Sequence, residues 1–202
     1  MGTQANDNTA GEFRTFLSAT EKALTQGGDA EVPCGSCTAC CTGHQFVHVQ
    51  QHEQTALAAI PSELIFPAPG GRAWLMPHDE SGACPMLIND RCSIYTARPQ
   101  TCRSFDCRIF AAAGVYPIGL QADIGKRARA WSFIYADDGA FELHEAVRRA
   151  AKFLIKESPA FDASPPLKDN PIQTALWAIK AHHLFTASEE PSLSQIKAVL
   201  QP

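Results

Sequence analysis

The chain has 202 residues, a formal net charge of −4, and 45% hydrophobic against 19% charged residues, which suits one globular domain with or without a helical extension. Its densest basic stretch, 126–129, is too short for the basic stripe of a nucleic-acid-binding protein. The longest uncharged apolar run, 109–120, is broken by Gly114 and Pro117 and falls short of the ~20 residues of a membrane span. The polar N-terminus lacks the apolar core of a signal peptide. We therefore expect a cytoplasmic protein without a nucleic-acid or membrane partner.

Apolar spacing and turn residues predict the following elements in chain order. They are a polar tail (1–10), a helix (11–26), a strand (45–50), a short helix (52–60), a Pro/Gly-rich loop (61–71), a strand (72–76) and a hairpin (86–95). Next come a helix (97–111), a strand (130–135) and helices over 141–157, 171–185 and 191–200. The predicted fold class is α+β, a small irregular cysteine-rich metal-binding domain with helices at both ends. The predicted divisions are 1–29 (tail and helix), 30–112 (cysteine cluster) and 113–202 (a strand and a helical extension).

The cysteines are confined to one stretch of the chain. They are Cys34, Cys37, Cys40, Cys41, Cys84, Cys92, Cys102 and Cys107. Thiols that served only as small core side chains would be spread over the whole sequence. Spacings of the Cys-x2-Cys type let a tight loop turn both sulfurs toward one ion, as in tetrahedral metal sites. We therefore predict that all eight cysteines are metal ligands.

Eight thiolates divide into two four-cysteine sites, or into one full site with accessory sulfurs. Adjacent side chains such as those of Cys40 and Cys41 are expected to point in different directions and to serve different roles. Spacing does not determine which sulfur joins which site. Arginines follow the second cysteine group and are candidates to hydrogen-bond the sulfurs and offset their negative charge. They are Arg91, Arg98, Arg103 and Arg108.

Disulfides and a redox Cys-x2-Cys pair are the two alternatives to metal binding by these cysteines. Disulfides are disfavoured in a reducing cytosol, and a redox Cys-x2-Cys pair does not require six further cysteines nearby. Among metals, sulfur-only ligation suits both zinc and iron. Cys34, Cys37 and Cys40 match the first three ligands of the bacterial ferredoxin run, while paired four-sulfur zinc sites are common in small irregular domains. Zinc, iron and an iron–sulfur cluster all remain open.

The full motif resembles a known family. It reads Cys34-x2-Cys37-x2-Cys40-Cys41, then Cys84-Pro85-x-Leu87, then Cys92-x-Ile94-Tyr95-x2-Arg98-Pro99-x2-Cys102-Arg103-x-Phe105-x-Cys107. Over roughly residues 30–110 this pattern resembles the YkgJ-type cysteine-cluster family, whose CxxCxxCC domain is described as zinc- or iron-chelating. The resemblance implies metal chelation by the cysteines. One branch, the flagellin lysine N-methylases, joins such a cluster to methyl transfer onto protein lysines.

Three functional hypotheses follow. The first is a metal-binding protein that holds zinc or iron, with a metal ion as its partner. The second is an enzyme that uses an iron–sulfur centre for redox chemistry or protein-lysine methyl transfer, and no catalytic residue is predicted for it. The third is a zinc-stapled protein–protein adaptor, which exposed apolar stripes on the helices of 171–200 would favour. His44, three residues after Cys41, is a candidate accessory ligand.

Overall fold

Two apolar cores organise the chain in the computed structural model, which describes residues 8–187 and 189–200. The larger core is helical and draws side chains from positions as distant as Ala10 and Leu200. The smaller core lies beside a three-stranded sheet, and Cys41, Cys84 and Cys102 belong to it or pack against it. The fold is α+β, as predicted. The divisions at residues 29 and 112 stay a prediction.

The described residues form seven short strands and eight α-helices. The helices are α1 (Phe13–Gln26), α2 (Gln54–Ala59), α3 (Gln100–Ser104), α4 (Arg108–Ala113), α5 (Ala122–Ala130), α6 (Asp138–Lys156), α7 (Pro171–Ala181) and α8 (Leu193–Leu200). The strands are β1 (Thr9–Glu12), β2 (Phe46–Gln50), β3 (Phe66–Pro67), β4 (Ala73–Pro77), β5 (Leu87–Ile88), β6 (Arg91–Cys92) and β7 (Ser132–Ile134). Within the described ranges, no helix has the length and apolar character needed to cross a membrane.

The helical core forms around α6, whose apolar side chains recur at helical spacing. Val147, Ala150 and Leu154 are fully buried on this face, which packs against α4 and α7. All of α4 after Arg108 is buried, from Ile109 onward. The residue immediately before α4 is a cysteine, so the helical core fixes the position of one thiol.

The three-stranded sheet lines one side of the cysteine region. Its order is β2-β4-β3, with antiparallel pairing that sets Val47 opposite Met76. Both side chains are buried, and alternate residues of β2 face solvent. The predicted hairpin is present as β5 and β6, and its turn residues Asn89 and Asp90 both have positive φ angles, of 51° and 58°. Two such residues are typical of the tight turns that join two strands.

The structure corrects three of the predicted elements. Residues 9–12 form β1, which pairs in parallel with β7, so the predicted tail ends earlier; residues 1–7 lie outside the described residues. The helix predicted over 97–111 is two helices, α3 and α4, with a break between them. The third correction is α5, which contains the basic stretch 126–129 in a region where no element is predicted.

His144 is a titratable group buried in the helical core, with 3% of its surface exposed. Its ring stacks on Phe13, with ring centroids 4.3 Å apart. The carbonyl of Ala111 can only accept, so Nε2 carries the proton, and Nδ1 accepts from the Tyr135 hydroxyl at 2.7 Å. Burial lowers the pKa of His144 to about 4.

Mild acid should therefore destabilise the helical core. The pKa of His144 is about 4 in the fold against an ordinary value of 6.5, so its stabilising contribution is present above pH 6.5 and is lost as the pH falls toward 4. We expect its share of the free energy of unfolding to fall by about 2 kcal/mol between pH 7 and pH 5. Urea unfolding at both pH values measures the drop, and His144→Gln should show a smaller one. An equal drop in that variant would contradict this assignment.

Candidate metal centre

One cavity of about 350 Å³ brings the two cysteine groups together. Its lining includes Cys34, Cys37, Cys40, Cys41, Cys84, Cys92, Cys102 and Cys107. All eight cysteines are free; Cys84 and Cys107 are buried, whereas Cys34 and Cys40 are exposed. Positions far apart in the sequence thus share one space, and their sulfurs carry no disulfide that would prevent them from binding a metal.

The first cysteine group is shaped by tight backbone turns. The N–H of Cys37 donates to the carbonyl of Cys34 at 3.0 Å, and the N–H of Cys41 donates to Thr38 at 2.7 Å. Residues 39–41 form a single 3₁₀ turn. Such turns place successive cysteines on the inside of one loop, which is the arrangement that the Cys-x2-Cys spacing predicts.

A backbone hydrogen bond joins the second cysteine group to the first. The N–H of Cys84 donates to the carbonyl of Cys41 at 2.7 Å. Cys92 ends the hairpin strand β6, and Cys102 lies in α3. The loop between β4 and β5, the hairpin and a short helix therefore each bring one cysteine of this group to the cavity.

Cys107 reaches the cavity because the chain breaks between α3 and α4. In this break, Asp106 accepts from the backbone N–H of Arg108 at 2.9 Å and forms a nearly buried ion pair with the Arg108 guanidinium at 2.7 Å. The guanidinium also donates to the carbonyls of Ala10 and Glu31. Arg108 thus joins β1, the loop before the first cysteine group and the start of α4.

The electrostatic neighbours of the thiols define two sets. Burial is the main cause that raises the pKa of Cys107 to about 12, and the charges of Asp106, Cys34 and Cys37 act in the same direction. Burial is also the main cause that raises the pKa of Cys102 to about 12, and the thiols of Cys40, Cys84 and Cys92 act in the same direction. One set therefore contains positions 34, 37 and 107, and the other contains 84, 92 and 102.

Cys40 and Cys41 lie at the junction of these sets. Their thiols interact instead of diverging: a hydrogen bond with the Cys41 thiol is the main cause that raises the pKa of Cys40 well above its usual range. The Cys40 thiol also acts on Cys34 in one set and on Cys84 and Cys102 in the other. Cys40 is therefore electrostatically close to both sets.

The arginines predicted beside the sulfurs have different roles. Arg98 and Arg103 line the cavity. The charge of Arg98 opposes the burial-driven rise in the pKa of Cys102. Arg108 is committed to its ion pair, and Arg91 is exposed at the surface. Arg98 is therefore positioned to act on a thiol through its charge, whereas Arg103 forms an ion pair with Asp29.

Sequence reasoning missed two residues of this region. Arg127 lines the cavity from α5, and Trp131, which follows α5, donates its indole N–H to Sγ of Cys107 at 3.1 Å. Neither belongs to the cysteine motif, and no spacing signal connects them to it. His78 lines the cavity, whereas the predicted accessory residue His44 is exposed and lies against Gly82.

The donor set suits a soft or borderline metal ion. Sulfur ligands select zinc, iron–sulfur centres or copper(I) over calcium and magnesium, which prefer oxygen. Among the described residues, no group of three His, Cys, Asp or Glu side chains is already arranged as ligands of one ion. Thiols with raised pKa values would release their protons on binding, and the positive charge of the metal would compensate the resulting thiolates.

A family comparison agrees with this chemistry. Residues 33–123 match the model of the CxxCxxCC family, described as "Putative zinc- or iron-chelating domain". This segment, shorter than half of the chain, is similar to that family. It contains all eight cysteines and ends within α5, before Trp131. No curated protein and no solved structure matches the chain.

Proposed function

We propose that this chain is a metal-chelating protein that holds zinc or iron at two four-cysteine sites. The observation that carries the proposal is the convergence of all eight free thiols on one cavity in a CxxCxxCC segment. The first site would use Cys34, Cys37, Cys40 and Cys107. The second would use Cys41, Cys84, Cys92 and Cys102.

Sequence spacing and a backbone contact support this assignment of Cys40 and Cys41. Cys40 is one Cys-x2-Cys step beyond Cys37, and its thiol acts on Cys34 as well as on Cys84 and Cys102 of the second site. Cys41 packs against the smaller core and accepts from the backbone N–H of Cys84. Side-chain rotations within the cavity would bring each set of sulfurs onto its ion.

A second candidate function is an enzyme whose iron–sulfur centre exchanges electrons or takes part in methyl transfer. A cavity of about 350 Å³ reaches the lower end of the range that small-molecule sites occupy, which supports this candidate. The adaptor hypothesis has weaker support, because no exposed large apolar side chain occurs in the described part of α7 and α8. The free thiols are typical of a reducing compartment, which supports a cytoplasmic location.

Anaerobic purification followed by metal and sulfide analysis tests the proposal. We expect two metal ions, or two iron–sulfur centres, per chain. A colourless protein with two zinc ions would support structural chelation. A brown protein with iron and acid-labile sulfide would support the redox candidate. A protein that retains no metal, and whose eight thiols react freely with a thiol reagent, would refute both.

A further inference from the structure

The indole of Trp131 contacts the cysteine cavity from outside the CxxCxxCC segment. Its Nε1 lies 3.1 Å from Sγ of Cys107, and since the indole nitrogen can only donate, the sulfur is the acceptor. Trp131 has 6% of its surface exposed and Cys107 has 9%. The contact is therefore shielded from bulk water.

Two neighbouring elements hold this ring in place. The backbone N–H of Trp131 donates to Ala128 at the end of α5, and the next residue begins β7, which pairs with β1. The guanidinium of Arg127 lies over the indole, 3.9 Å from the ring centroid. A cation in this position is attracted to the ring face and fixes its orientation.

Among the described residues, the indole of the other tryptophan of the helical core, Trp177, has no hydrogen bond to a sulfur. Trp177 packs against Phe161, with ring centroids 5.6 Å apart, and its contacts are those of an ordinary core side chain. Trp177 shows that an indole can pack in this core without a hydrogen bond to sulfur, so the N–H···S contact of Trp131 is a feature beyond packing.

We propose that Trp131 is a positioning residue for Cys107 at the first four-cysteine site. The inference rests on the proposed function, since Cys107 must be a ligand for it to hold. A thiolate is a stronger acceptor than a thiol, so the N–H···S bond would strengthen when a metal ion replaces the proton on Cys107 and that proton is released to solvent. The bond fixes the direction of the sulfur, and through it the strand and helix after the cysteine segment become part of the metal site.

Indole N–H signals of the intact protein test this directly. The ¹⁵N-labelled chain gives one signal each for Trp74, Trp131 and Trp177, which single Phe substitutions assign. The metal-free protein is titrated with Zn²⁺, a diamagnetic probe of four-thiolate sites. The Trp131 signal should move downfield as its acceptor becomes a thiolate, while the Trp177 signal stays in place.

Zinc affinity provides the second measurement. Trp131→Phe should weaken binding at one of the two sites by about 10- to 100-fold, the usual effect of removing a hydrogen bond to a ligand. The control Trp177→Phe should leave both affinities unchanged. Zinc binding with an unmoved Trp131 signal would overturn this inference and leave the proposed function intact. Failure of the unsubstituted protein to bind zinc, cadmium or iron would instead overturn the proposed function. If Trp131→Phe does not fold, the indole N–H signals of the unsubstituted protein during the zinc titration still test the proposal.

Discussion

Replacing Cys37 with serine should remove one of two metal ions per chain and destabilise the cysteine segment. Serine does not ionise at neutral pH, so the first site would keep three thiolates from positions 34, 40 and 107. In structural sites the free energy of metal binding is also folding free energy, about 10 kcal/mol or more for zinc in small domains. The cysteine segment has only short strands and a small apolar core, so it depends on that contribution.

Metal analysis and circular dichroism measure the two parts of this prediction. Cys92→Ser should remove the other ion, and a combination of both substitutions should remove both. The helical circular dichroism signal should largely persist, because the substituted residues Cys37 and Cys92 are not among the buried residues of the large core. Ser36→Ala, an exposed position within the same loop, is the matched control and should retain two ions. A Cys37→Ser protein with its full metal content would remove this residue from the ligand set.

Replacing Asp106 with alanine should lower the free energy of unfolding by about 3–5 kcal/mol, the usual effect of breaking a buried ion pair. The substitution leaves the Arg108 guanidinium, 11% exposed, without its partner. It also removes the acceptor for the backbone N–H that begins α4. Since this break directs Cys107 into the cavity, metal affinity at the first site should fall as well.

A second aspartate–arginine pair gives the matched control. Asp29 and Arg103 are 3.0 Å apart, but the Asp29 side chain is 58% exposed. Asp29→Ala should therefore cost less than about 1 kcal/mol. Chemical denaturation of both variants at pH 7 makes the comparison. Equal, small effects would show that the buried pair does not hold the break between α3 and α4.

Several elements were predictable because their signals are local. The apolar stripe of α6, the alternation in β2 and the Asn89-Asp90 turn each depend on neighbouring residues. The expectation that the chain binds a metal also rests on local signals. Cysteines confined to one segment at two-residue spacings have few other physical uses in a reducing compartment.

The elements that were missed depend on distant partners. Apolar spacing continued from 97 to 111, yet the ion pair of Asp106 with Arg108, together with the carbonyls of Ala10 and Glu31, stabilises a break. Strand β1 forms only because β7 lies beside it. The ion pair itself is local, but the carbonyls that accept from Arg108 lie 98 and 77 positions away, and β7 is likewise distant from β1.

For the cysteines, the sequence by itself determined the type of ligand and the expectation that a metal is bound, because chemistry and spacing are local properties. Only the tertiary structure shows that Cys107 approaches Cys34 and Cys37, since the chain must fold back to bring them together. Only the tertiary structure shows the contact of Trp131 with Cys107, between residues 24 positions apart. Burial and the proximity of charges arise from packing, so the grouping of sulfurs and their raised pKa values could be obtained only from the folded chain.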